Sequence, residues 1–152
     1  MNCNKKRIVI LVFLSLSLAL CLTNFIGFQG EPGLLGIMFS VLGVVFSFGI
    51  CIANSLNLER IRNPDYYEPL KRSTNVVRDT SAVLFALVLV LFVLSQIMRT
   101  VNIGDEVNFL GLVFSFSSFA FSFNCFVLLY YVLNFGRLQS LDQEIEERMR
   151  ED

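Results

Sequence analysis

The sequence predicts an all-α integral membrane protein: four transmembrane helices forming two antiparallel hairpins, followed by a helical cytoplasmic C-terminal tail. Three observations predict it. Residues 8–28, 34–54, 80–98 and 107–133 contain no Asp, Glu, Lys, Arg or His. A hydrocarbon core of about 30 Å takes about 20 apolar helical residues to cross, and each stretch reaches or nearly reaches that length. Every Lys and Arg except Arg99 falls on one side of such a four-pass path, which the positive-inside rule makes the cytoplasm. The connections 29–33 and 99–106 are short and carry Gly30, Pro32, Gly33, Asn102, Gly104 and Asp105, the residues of tight turns.

The first span follows Lys5, Lys6 and Arg7. A basic start before an apolar run also describes a secretory signal, and Cys21 approximates a lipoprotein cleavage site. Leu20 occupies the position where cleavage needs a small residue, and apolar character continues to Phe28. An uncleaved helix is therefore expected. The second span, 34–54, follows the first turn and returns to the cytoplasm.

The loop 55–79 mixes Arg60, Arg62, Lys71, Arg72 and Arg78 with Glu59, Asp65, Glu68 and Asp79. Pro64 and Pro69 are expected to break it into short pieces, because proline disfavours helix in the preceding residue. Tyr66 and Tyr67 suit the headgroup level. The loop either rests on anionic lipid or docks a cytoplasmic protein partner.

In the third span, twelve Val, Leu, Ile and Phe residues between Val83 and Ile97 favour insertion by roughly 4–7 kcal/mol. Asp79, Thr80 and Ser81 offer N-cap oxygens for it. The fourth span, 107–133, completes a transmembrane domain covering 1–135. The tail, 136–152, places Leu138, Leu141, Ile145 and Met149 on one helical face. Glu144 with Arg148 and Glu146 with Arg150 form favourable i,i+4 pairs. That apolar stripe is a candidate surface for self-association or partner binding.

Composition excludes more than it identifies. The chain is 55% hydrophobic, with 16 Phe and neither His nor Trp. Without His there is no His general base, no His-ligated haem and no His-containing zinc site. Cys3, Cys21, Cys51 and Cys125 lack paired ligand spacing and read as small apolar residues. No nucleophile–base pair, Gly-rich phosphate loop or metal cluster is present, so an enzyme is not expected, nor a cofactor. Nucleic acid is not an expected partner either, since the bases are interleaved with acids. The spans hold no ionisable residue of the kind that marks proton or ion relays, which argues against coupled transport.

What remains are stripes of small residues, which in lipid permit close backbone approach. Gly36, Ser40, Gly43, Ser47, Cys51 and Asn54 fall on one face of the second span. Gly111, Ser115, Ser118, Ser122 and Cys125 do the same in the fourth, and Ser15, Ala19, Thr23 and Gly27 in the first. Two readings follow. The stripes are helix–helix contacts whose hydroxyls bond back to their own helices. Alternatively, the serines with Asn54 and Asn124 line a narrow neutral path, within one copy or between copies.

The plan of the chain resembles the RexB exclusion proteins of lambdoid phages, short four-span inner-membrane proteins with a charged segment after the second span and a charged tail. The matching pieces are 50–67, with Leu58–Glu59–Arg60–Ile61–Arg62 just past the span, and 129–152. The resemblance implies an ion-permeable effector that depolarises an infected cell when a partner sensor signals. It lends no site residues, because no family motif is matched position by position. The expectation is an inner-membrane effector of anti-phage defence that forms a homo-oligomer and has both ends cytoplasmic; the alternative is a non-conducting immunity protein or accessory membrane subunit.

Overall fold

The computed structural model describes residues 2–28, 31–55, 64–101, 106–109 and 112–151. Glu59, Arg60, Arg62, Asn102, Gly104, Asp105 and Gly111 lie outside them, as do Gln29 and Gly30 of the first turn. The elements are α1 (Asn2–Cys21), a π-helical turn (Leu22–Ile26), α2 (Pro32–Ser55), α3 (Pro64–Thr100), β1 (Glu106–Phe109), β2 (Leu112–Ser115) and α4 (Phe116–Glu151). Four helical segments are long and apolar enough to cross a membrane: Ile8–Ile26, Gly33–Ser55, Lys71–Thr100 and Phe116–Ser140.

The helix ends follow local chemistry. The π-helical turn closes on Gly27, whose φ of 69° is left-handed and whose N–H donates to the Leu22 carbonyl. Glycine takes that conformation without steric cost. The Phe28 N–H donates to the same carbonyl at 3.1 Å. Pro32 is the first residue of α2, where its missing N–H is no loss, and the Glu31 carbonyl accepts from Leu35 N–H at 3.2 Å.

Two expected boundaries are corrected. The third helix does not begin near residue 80; it begins at Pro64 and runs unbroken through Pro69. Pro64 sits at the first helical position, which proline suits, and Pro69 forfeits one backbone bond near the helix start. Asp79, Thr80 and Ser81 are therefore mid-helix residues and cap nothing. The fourth helix does not begin at 107. Residues 106–109 and 112–115 form an antiparallel pair, with Glu106 opposite Ser115, Val107 opposite Phe114, Asn108 opposite Val113 and Phe109 opposite Leu112. Ser115 then caps α4: its Oγ accepts from the Ser118 N–H at 3.3 Å, as N-cap serines do for the third helical residue. The helical tail is as expected, being the continuous end of α4.

The pairing of helices is corrected too. Among the described residues α1 packs along α4 rather than along α2, while α4 also packs against α2 and α3, and α2 against α3. The first expected hairpin is thus not a packing unit; α4 is the shared centre. Its residues Phe123, Val127, Tyr131, Phe135 and Leu138 meet Leu42 and Ala53 of α2 and Val77, Leu84 and Val88 of α3 in the core. Rings extend this core as a ladder. Phe92 stacks on Phe39 at 4.5 Å, Phe85 on Phe46 at 4.4 Å, and Tyr131 on Phe135 at 5.4 Å. Phe39 and Phe46 are seven residues apart, as are Phe85 and Phe92, so α2 and α3 meet antiparallel along one seam.

Candidate functional site

Small residues on α2 and α4 have opposite surroundings. Ser118, Ser122 and Asn124 on α4, and Ser115 just before it, are all buried, because α4 packs against three other helices. The Ser122 hydroxyl donates to the Ser118 carbonyl at 2.8 Å. The Ser118 hydroxyl crosses to the segment just past the π-helical turn, donating to the Phe28 carbonyl at 2.7 Å, and the Phe28 and Phe121 rings meet beside it, tilted at 52° with centroids 5.2 Å apart. These groups hold the bundle together.

On α2, Ser40, Ser47, Cys51 and Asn54 are exposed. A side chain added at Gly36 or Gly43 would meet nothing within 4 Å. Ser40, Gly43, Ser47 and Cys51, flanked by Val44 and Phe48, line an open groove of ≈ 530 Å³ on the outside of the bundle. Within the single chain the serines of the second-span stripe face outward, and the close approach to α4 is made by Gly49. Gly49 is buried, and a methyl there would overlap the Phe135 ring. Sequence reasoning passed over Gly49 because it lies off the stripe.

The groove's chemistry is set by its hydrogen bonds. Ser40 Oγ donates to the Gly36 carbonyl at 3.0 Å and Ser47 Oγ to the Gly43 carbonyl at 2.8 Å. With each proton committed to its own helix, the hydroxyl oxygens offer lone pairs outward. The first-span stripe behaves as a packing face, with Ser15, Ala19 and Thr23 buried and Ser15 and Thr23 bonded to the carbonyls of Leu11 and Ala19.

A second polar site was missed. Asn24, on the π-helical turn, donates from Nδ2 to the Val113 carbonyl at 3.0 Å and accepts the Val113 N–H on Oδ1 at 3.0 Å. Its amide thus pairs with the outer edge of β2 as a neighbouring strand would. The same Nδ2 reaches the Leu20 carbonyl at 2.9 Å. No sequence signal announced this contact, since its partners are 89 residues apart.

The bundle interior holds further polar atoms. Tyr131 donates to the Ser81 carbonyl at 2.9 Å. The Thr74, Thr80 and Ser81 hydroxyls and Asn124 Oδ1 are buried without a hydrogen-bond partner among the described residues. Three of these atoms lie on α3 and one on α4, and no group of three or more His, Cys, Asp or Glu could hold a metal among the described residues.

The tail stripe is divided. Leu138 is packed in the core beside Val77 and Phe135, which removes it from a free partner-binding face. Leu141, Ile145 and Met149 continue α4, but their side chains lie outside the described ones. Comparison with family models, curated proteins and solved structures finds no match for this chain.

Proposed function

We propose that this chain is a multi-pass inner-membrane protein, with both ends cytoplasmic, that permeabilises the membrane as an oligomer under the control of a cytoplasmic partner. The observation that supports it is the outward face of α2. Ser40 and Ser47 stand exposed along the groove and Asn54 is exposed at the end of the same helix, where one copy alone would present them to lipid. Copies meeting around that face would enclose a neutral, hydroxyl-lined path. Oxygen lone pairs can replace part of a cation's hydration shell, and a path without formal charge would select only weakly among ions. The buried serines of α4 have no place in it, because they are spent on helix packing.

The RexB-like plan supplies the biological setting, an effector of anti-phage defence released by a sensor. The partner would dock on the charged segment 55–79 or on the α4 tail beyond Leu138. Nothing in the sequence requires a cofactor or catalytic chemistry. The test is potassium release from liposomes containing the purified protein, together with depolarisation of cells on induced expression. Failure in both assays overturns the proposal.

A second reading has its own support. Most of the stripe hydroxyls bond within their own helix, as in an inert packed bundle. A non-conducting immunity or accessory protein needs nothing more. It would be harmless when expressed alone and would rescue cells from a toxin.

A further inference from the structure

We propose that β2, Leu112–Ser115, is a switchable first turn of α4 and that Asn24 is the latch holding it extended. The opposing preferences are both visible. The segment is uncharged and continuous with α4, and as a helix it would offer its four carbonyls to the first N–H groups of α4, which a helix starting at Phe116 cannot bond internally. As a strand, Val113 instead turns its N–H and carbonyl away from β1, because it faces Asn108 across the ladder at a position where antiparallel partners do not bond to each other. Both groups are then taken by one side chain, the Asn24 amide.

The π-helical turn is what brings that amide to the strand edge; such turns recur at functional sites. The start of α4 is also set by the bond of the Ser118 N–H to the Ser115 hydroxyl, which at 3.3 Å is long for an O···H–N contact. Extending α4 over β2 would add about 6 Å of helix. It would leave the Ser118 bond to Phe28 in place, so the rest of the bundle need not move. Beside the β1 ladder, the two Asn24 bonds at ordinary net strength weight the extended state about thirtyfold. The latch does not depend on whether the bundle conducts.

The experiment is backbone NMR of the full chain in lipid nanodiscs, comparing the native protein with Asn24→Leu. In the native protein Val113–Ser115 should show strand-type Cα shifts and a slowly exchanging Val113 amide. In Asn24→Leu the shifts should become helical, and the Val113 amide, now in a first helical turn with no acceptor in its own helix, should exchange faster. Persistent strand shifts, or coil shifts with rapid exchange, overturn the proposal. Ser115→Ala, which keeps Asn24 and removes the cap, should move the same shifts in the helical direction by a smaller step; it decides the matter alone if Asn24→Leu fails to fold, and unchanged strand shifts in it count against the latch.

Discussion

Gly49 and Phe135 set the distance between α2 and α4: the ring occupies the space that any side chain at residue 49 would need. Both residues are buried, so neither can turn aside into open space. Gly49→Ala should therefore destabilise the bundle by about 1–3 kcal/mol, the usual cost of overpacking, read as a lower melting temperature in detergent. Phe135→Leu in the same chain should recover part of that loss. Gly43→Ala, one to two turns away and facing open space, should leave melting unchanged; equal effects at 43 and 49 would contradict the packing described.

Tyr131 links the same helix to α3 through the Ser81 carbonyl. Tyr131→Phe keeps the ring between Phe46 and Phe135 and removes only this bond. A loss of about 0.5–1.5 kcal/mol is expected, in the range of interhelical hydrogen bonds in membranes. Tyr131→Ala also removes the ring and should cost about 3–5 kcal/mol. Unfolding curves of the two variants separate the bond from the packing.

The groove on α2 separates permeation from stability. Ser40→Leu with Ser47→Leu should abolish liposome potassium release while changing the melting temperature little, since both sites are exposed. Ser122→Leu should do the reverse, lowering stability through the core. If the groove lines the path, reversal potentials should show a modest preference for potassium over chloride. Chloride preference would argue against outward-facing oxygen lone pairs.

Gly27 provides a local test of how α1 ends. Its positive φ of 69° is strained for residues with a Cβ, although nothing crowds the site. Gly27→Ala should cost about 1–2 kcal/mol for the left-handed backbone alone, and Gly27→Asn less, because asparagine visits that region more readily. Thermal unfolding of the two variants checks the order.

The spans themselves were legible because length and absence of charge suffice to mark them. The apolar segments Ile8–Ile26 and Gly33–Ser55 lie within a few residues of expectation. The start of α4 was not legible, since Val107, Phe109, Val113 and Phe114 fit an apolar helix and a strand equally well. The deciding partner, Asn24, is distant in sequence. α3 was misjudged for a different reason: Pro64 was read as a breaker when its position at the helix start makes it compatible.

The small-residue stripes show the limit of spacing as evidence. Periodicity identified a face on α2 and another on α4, but not what lies opposite either. Hydropathy cannot tell a neighbouring helix from a lipid tail, because both are apolar. The seven-residue repeats of Phe39 with Phe46 and Phe85 with Phe92 did carry usable information about the α2–α3 seam. They were hidden among the chain's many other phenylalanines.

The central place of α4 has a consequence for biogenesis. A ribosome delivers the chain from its N-terminal end, so α1, α2 and α3 are made before the helix on which they all lean. Ser15, Leu42 and Val88 must wait without their final neighbours until Phe116–Ser140 arrives, and assembly is completed by the last span rather than seeded by the first.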